Sequence, residues 1–376
     1  DAMLAEGSDV LSQHPPGPAL AAMLSRSAGA LWLRGASQEA LDYVSRHRHV
    51  VEVHGDVGAR QRMMSAEGGA KFDAGDPTAV EPFRQVLRMA IEADDSMAVA
   101  TAYLNLGEQL RTGWGAGEAI PVHERGLELA VQRHTGGPEQ FLRGSLAVDY
   151  FFAGRWDDAL DQLSAVEQIS DRFSYLEGAI TGVRTMIAAG RRGAGSDEIA
   201  TIADVVAEAE ALKDLQAVVP AYEIAQFVNL MAGERETALR YARSIVERSG
   251  ASRYIIDAWS ITMWLLQQAG ELALVDDVLE GLRRFEMPRP QALLSSVEAL
   301  RLEAEDQLRA REGLEQAADV LVELGNRIEA VPLLSDAARI SSALGHDEEA
   351  AALRRRAAGL AAEAGATRLL EVLEAG

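Results

Sequence analysis

The chain has 376 residues, a formal net charge of −22 and 48% apolar residues, so it can form a continuous core. It contains no Cys, which excludes disulfides, thiolate nucleophiles and Cys-ligated metals. Nucleic-acid interfaces need clustered cations, which the net charge of −22 disfavours, and membrane spans need roughly 18 consecutive apolar residues, which the sequence lacks. We therefore expect a cytoplasmic protein that binds neither nucleic acid nor a membrane.

The first predicted element is a helix over residues 1–11, which the proline-rich segment His14–Pro18 ends. We interpret residues 1–15 as the second half of a truncated hairpin, and the chain as a piece of a larger protein. Helical hairpins are predicted to follow one another over residues 16–365. The amphipathic segment 366–376 is predicted to be a helix that caps the last apolar face.

A short turn recurs along the chain, each time after an apolar helix and before an Ala- or Val-centred one. The turns fall near residues 35, 75, 113, 154, 190, 233, 270, 310 and 345. This period of about 39 residues is typical of stacked helical hairpins, so the sequence predicts an all-α solenoid of about nine hairpins. Two copies depart from the pattern: RRGAGSDE (Arg191–Glu198) should lengthen the fifth turn, and RAREG (residues 309–313) should join the eighth pair of helices.

Within each copy, the first helix is apolar at i, i+3, i+4 and i+7, and Gly suits the left-handed position that ends it. Acidic residues start the second helix, where they favour the helix dipole. A small residue follows that should let the two helices approach closely; these residues are Ala40, Ala119, Ala159, Ala238 and Ala350.

The third copy, AYLNLGEQL followed by EAI and RGLELA, resembles the tetratricopeptide pattern. The matching positions are Tyr103, Leu106, Gly107, Leu110 and Ala119, with Pro288 as the usual terminal proline of a later copy. The longer repeats resemble the helical region of large bacterial STAND-type ATPase signalling proteins, which are linked to a nucleotide cyclase or a LuxR-type DNA-binding domain. The resemblance implies a right-handed superhelix that acts as a scaffold.

The sequence contains no catalytic constellation. It lacks a GxxxxGK[ST] loop, and we interpret the glycine-rich GWGAG and GRRGAG segments as hairpin turns. His47, His49 and His54 have the wrong spacing for a shared metal, and His123-Glu124 lacks the second His of HExxH. We therefore predict no catalytic residues, no metal site, no cofactor and no enzymatic activity of this chain.

One group of residues suggests a binding surface. When each turn is used to align the repeats, large aromatic residues recur at positions that face the concave side of tetratricopeptide-like hairpins. The predicted groove residues are Trp32, Phe72, Phe141, Phe151, Phe152, Phe227 and Trp264. They could instead pack against the neighbouring hairpin, and solvent accessibility distinguishes the two interpretations.

Three hypotheses for function follow. The first is a binding scaffold, the sensor or protein-interaction region of a larger ATP-dependent signalling or transcriptional regulator. Its partner would be a protein or peptide segment, such as a helix of its own ATPase domain, or a small effector. The second is a homo-oligomerisation module of the same protein, and the third is an enzyme in its own right.

Overall fold

The computed structural model describes residues 15–169, 174–250 and 252–375, and it is 84% helical with no strand in those ranges. The helix predicted over residues 1–11 lies outside the described residues. Within these ranges nineteen α-helices follow one another, and one 3-10 helix spans Arg253–Asp257. The all-α prediction is confirmed.

The helices alternate between an A helix and a B helix, and each A helix with the B helix after it forms a hairpin. The nine A helices are α1 (Pro18–Leu33), α3 (Val57–Asp73), α5 (Ser96–Trp114), α7 (Gly136–Phe152), α9 (Ser174–Arg192), α11 (Leu215–Ala232), α13 (Ser260–Gln268), α15 (Pro288–Leu302) and α17 (Arg327–Ala343). The nine B helices are α2 (Ser37–His54), α4 (Val80–Glu92), α6 (Ala116–Gln132), α8 (Trp156–Glu167), α10 (Ser196–Leu212), α12 (Arg235–Ser249), α14 (Leu272–Leu282), α16 (Gln307–Glu323) and α18 (Asp347–Ala364). Consecutive hairpins pack side by side as a right-handed superhelical solenoid.

The close approach of A and B helices depends on small residues, as predicted. All five alanines at the crossings are completely buried: Ala40, Ala119, Ala159, Ala238 and Ala350. Acidic side chains also occupy the predicted helix starts, for example Asp157 and Asp158 in the first turn of α8. Both features come from local sequence, so they recur from hairpin to hairpin.

Three turns differ from their predicted positions. Gly113 and Gly190 lie inside α5 and α9, and the turn residues with positive φ are Gly115 (+93°) and Gly193 (+86°). A Cβ on Gly190 would lie 2.5 Å from the Trp156 ring, so this glycine permits close packing inside a helix. The fifth turn spans only residues 193–195, so the expected lengthening is wrong. The eighth turn spans residues 303–306, and the RAREG segment lies within α16.

The superhelix is wound tightly enough for distant hairpins to meet. Helix α5 packs against α15, and α7 packs against α17, so the third and fourth hairpins contact the eighth and ninth. The last helix, α19 (Thr367–Ala375), buries Leu369 and Leu373 and contacts α9 and α11. The A helices are therefore covered partly by helices from the opposite side of the superhelix.

Backbone groups take part in these contacts across the superhelix. Gly117 N–H donates to the Leu324 carbonyl at 2.9 Å, and Glu286 N–H donates to the Gly75 carbonyl at 3.3 Å. A Cβ on Gly75 would lie 1.8 Å from the Arg284 carbonyl oxygen. Only glycine allows this approach, because Gly75 also has a φ of +83°.

Candidate functional site

The aromatic residues predicted to line an open groove lie mostly inside the protein. Five of the seven are at most 8% exposed, namely Phe72, Phe151, Phe152, Phe227 and Trp264. The other two, Trp32 and Phe141, are half-buried. The rings do not form an open strip, because neighbouring hairpins and helices across the superhelix cover them. A ligand-binding role stays a prediction for those that line a cavity.

Three of these rings meet in one aromatic cluster, formed by Phe151, Phe152, Phe227, Trp156 and Trp259. Phe151 stacks on Trp156 with ring centres 5.4 Å apart and meets Phe227 edge-on at 5.9 Å. Trp259 contacts Phe152 edge-on at 5.8 Å and stacks on Phe227 at 6.1 Å. Sequence reasoning missed both tryptophans, because Trp156 begins a B helix and Trp259 precedes α13, outside the aligned A-helix positions.

The remaining predicted groove residues lie apart from this cluster. Phe72 pairs with Phe285 across the superhelix, with ring centres 6.2 Å apart. Trp264 is buried in the seventh hairpin, Trp32 lies at the end of α1, and Phe141 packs against the main core from the first half of α7. The structure therefore divides the predicted strip into separate packing sites.

A cavity of about 500 Å³ lies beside the aromatic cluster, between α7, α9, α10 and α11. Phe151 and Phe152 form part of the α7 wall. The other apolar side chains lining the cavity are Val148, Ala179, Val183, Met186, Val205, Ala209, Leu212, Ala217, Pro220, Ala221 and Ile224. A mainly apolar cavity of this size falls in the range of about 300–1,000 Å³ that is usual for small-molecule sites.

The ionisable side chains that line the cavity are all carboxylates. Glu177, Glu208 and Glu223 line it, and no Lys, Arg or His does so among the described residues. Gln216 and Pro220 also line it, four residues apart on α11. Because proline has no N–H, the Gln216 carbonyl lacks its usual helical donor.

Behind the cavity, α5, α6 and α7 hold a group of charged side chains. Arg111 on α5 donates to Glu108 and, at 3.3 Å, to Asp149 Oδ1 on α7. The fully buried His123 ring lies 2.6 Å from Asp149 Oδ2 through Nδ1 and 3.1 Å from the Leu104 carbonyl through Nε2. Both partners can only accept, so this geometry suits the doubly protonated imidazolium.

The pKa shifts in this group follow from its charges. Burial lowers the pKa of His123, but Asp149 more than offsets this and the net shift is upward. Burial raises the pKa of Glu108, but Arg111 and His123 outweigh this and lower it to about 2. These groups are therefore neutralised by one another.

A second buried ion pair joins the last two A helices. Arg289 on α15 donates to both carboxylate oxygens of Glu329 on α17, at 3.0 and 2.8 Å. Asn326 Nδ2 donates to the same carboxylate at 2.5 Å, and its Oδ1 accepts from Ala116 N–H at 2.8 Å. Ser260 Oγ donates to the Glu329 carbonyl at 2.5 Å, so four hairpins meet at this pair.

Two inner carboxylates differ from the rest. Glu223 on α11 and Asp257 in the 3-10 helix have no hydrogen bond or close ion pair among the described residues. Burial and the nearby Asp257 raise the pKa of Glu223 well above its usual value. Burial raises the pKa of Asp257 to about 6, although Arg289 and Arg111 partly oppose the shift. Glu223 faces both this charged interior and the cavity.

Sequence reasoning also missed His123 as a buried residue. It lies four residues after Ala119, on the same face of α6. A Cβ on Gly107 would lie 2.1 Å from its Nε2, so the glycine at the helix crossing makes room for the ring. The histidines at residues 47, 49 and 54 lie on α2, and the described part of the chain contains no cluster of side chains suited to a metal.

No protein-family model and no curated protein sequence matches the chain. A solved structure of a Rap protein complexed with competence and sporulation factor superposes with a TM-score of 0.61. The two sequences are 13% identical, and the alignment covers 92% of this chain and 98% of the Rap chain. The chain has a tetratricopeptide-like helical-repeat fold.

A second solved structure, the apo quorum sensor NprR from B. thuringiensis, is 15% identical over 91% of this chain and 87% of its own. Its TM-score of 0.36 is too low to relate the two arrangements of hairpins. Among the helices of the described residues, none has the length and apolar character needed to cross a bilayer.

Proposed function

We propose that this chain is a non-catalytic binding scaffold and that its binding site is the cavity between α7, α9, α10 and α11. The observation that carries the proposal is the cavity itself, which places Phe151 and Phe152 beside about 500 Å³ of space. Elsewhere the inner helices pack against one another across the superhelix. A ligand in the cavity would contact four helices from three hairpins and could therefore bias how these hairpins pack.

The wider context of the scaffold is part of the same proposal. We place the chain in a larger cytoplasmic ATP-dependent signalling or transcriptional regulator, on the basis of its repeat pattern. The Rap protein of the same fold was solved with a factor bound, which supports a binding role for such a superhelix. The cavity would then sense a ligand on behalf of catalytic or DNA-binding domains elsewhere in the protein.

The test is to fill the cavity. Ala217 lines it and is half-buried, whereas Ala207 on the neighbouring helix α10 is exposed. Compounds that raise the melting temperature of the purified chain should lose this effect in Ala217→Trp and keep it in Ala207→Trp. Equal responses of both variants would refute the cavity as the binding site. The same samples should show no ATP hydrolysis, since the sequence has no phosphate-binding loop.

Homo-oligomerisation is the second candidate. Large apolar side chains are exposed at turns between hairpins, including Ile91 and Met97 at one turn and Leu212 and Leu215 at another. These residues would be covered in a self-complementary contact. Light scattering after size-exclusion chromatography tests the idea, and a monomer at concentrations up to about 100 µM, where even a weak micromolar dimer would be populated, would exclude it.

A further inference from the structure

The interior of the superhelix carries more negative than positive groups. Among the described residues, its carboxylates are Glu108, Asp149, Glu223, Asp257 and Glu329, and the cations that act on them are Arg111, Arg253, Arg289 and the His123 imidazolium. Arg111, His123 and Arg289 are already paired through hydrogen bonds with Glu108, Asp149 or Glu329, and Arg253 lies 3.8 Å from Asp73. The excess therefore falls on the two carboxylates that lack such partners.

Glu223 is the one of these two that reaches the cavity. Glu223 is half-buried, and a partly desolvated carboxylate without a hydrogen-bonding partner is costly. A cation entering the cavity would therefore recover interaction energy that the protein alone leaves unused. The raised pKa of Glu223 has the same cause, since burial and Asp257 both disfavour its charge. One positive group beside Glu223 would therefore balance its charge.

The rest of the cavity suits the body of such a ligand. Phe151, Phe152 and the aliphatic side chains of α9 and α10 form apolar walls. Two further carboxylates, Glu177 and Glu208, lie around the cavity and would attract a cation. No cation among the described lining residues would compete with it.

The size of the cavity, about 500 Å³, lies within the range of about 300–1,000 Å³ that is usual for small-molecule sites. We therefore choose a small molecule as the occupant. A helical segment of the same protein, which the sequence analysis allowed, is an alternative that the test must exclude.

We propose that the cavity binds a small organic cation, an ammonium or guanidinium group on an apolar body, with Glu223 as its counter-ion. The inference rests on the proposed function, because it assumes that the cavity is a ligand site. It adds the charge of the ligand and the residue that recognises it.

Three probes of the same shape and different charge test the inference by calorimetry at pH 8, namely 3-phenylpropylamine, 3-phenylpropanol and 3-phenylpropanoate. The amine should bind the wild-type chain at least about 10-fold more tightly than the alcohol, and the carboxylate should bind more weakly than either. In Glu223→Gln the amine should lose this advantage, while binding of the alcohol stays within about 3-fold of wild type.

Two controls keep the outcomes separate. Glu208→Gln removes an exposed carboxylate from the same cavity, and it should weaken the amine by less than about 3-fold. Glu223→Gln removes a half-buried charge without a hydrogen-bonding partner and should therefore melt at or above the wild-type temperature, which excludes misfolding as the cause of lost binding.

Each result has one meaning. Alcohol binding as tight as amine binding, or an equal loss in the Glu208 variant, would overturn the role of Glu223 while leaving the cavity as the site. Probes that bind Ala217→Trp as well as wild type, or that bind neither, would overturn the proposed function itself. Tighter binding of the blocked tripeptide Phe-Lys-Phe than of the amine would overturn the small-molecule assignment in favour of a peptide.

Discussion

The contact between the second and seventh hairpins gives the sharpest test of the closed superhelix. We predict that Gly75→Ala destabilises the protein far more than the same substitution at turns with the same backbone conformation. Gly35 and Gly345 are the matched controls, because their φ angles of +81° and +79° lie within 4° of that of Gly75 (+83°). A Cβ at either control position would meet nothing within 4 Å, whereas at Gly75 it would lie 1.8 Å from the Arg284 carbonyl oxygen.

The expected loss of stability in Gly75→Ala follows from the separation that the new Cβ forces between the two segments. A left-handed alanine costs about 1–2 kcal/mol at all three turns. At Gly75 the two segments must also separate by more than about 1 Å to reach ordinary contact distance, which weakens the hydrogen bond from Glu286 N–H. That bond contributes about 0.5–1.5 kcal/mol, and the buried Phe72–Phe285 pair contributes a similar amount beyond its apolar burial. We expect an extra cost of about 1–3 kcal/mol.

Urea denaturation followed by circular dichroism measures the difference between variants. Hydrogen exchange would locate it, with faster exchange expected at residues 72–76 and 284–287 in the Gly75 variant only. A Gly75→Ala variant within about 0.5 kcal/mol of Gly35→Ala would refute the closure, because independent surface changes differ by this much.

Three further substitutions test other parts of the structure. Ala159→Leu should cost about 1–3 kcal/mol in urea denaturation, because the alanine is fully buried where two helices cross; a change below about 0.5 kcal/mol would contradict that packing. Arg289→Met should cost about 3–5 kcal/mol by leaving Glu329 buried without its partner, and the double variant with Glu329→Leu should recover most of the loss. Burial raises the pKa of Asp336 from its ordinary 3.8 to about 6, so the folded state binds the extra proton and stability should fall as the pH rises from about 4 to 6. The unfolding free energy of wild type minus that of Asp336→Asn should therefore fall by up to about 3 kcal/mol across this window and stay level above pH 7; a flat difference would show that the pKa of this carboxyl is ordinary.

Local sequence determined the hairpins of this protein. Alternation of apolar helix, turn and small residue predicts the A and B helices, and Ala159 and Ala238 lie buried at crossings as expected. These features depend on residues within about ten positions of one another, so each repeat carries its own signal. The same reasoning could not choose between Gly113 and Gly115, because either can end a helix.

The tertiary structure decided that choice and the nature of the site. Gly115 adopts the turn conformation where its segment meets Leu324, and Gly113 stays helical against Phe72 and Met287. Likewise, Phe151 and Phe152 have the periodicity of a concave surface, but packing across the superhelix buries them in a core beside a cavity.

The charged interior is the clearest example of a feature that local sequence could not predict. Arg289 and Glu329 look like ordinary helical charges in the sequence, and only their position on inner helices buries them. The hydrogen bond between Ala116 and Asn326 joins residues that are 210 positions apart. Contacts at such separations depend on the curvature of the superhelix, which accumulates over many hairpins. This curvature cannot be predicted from the residue pattern of a single repeat.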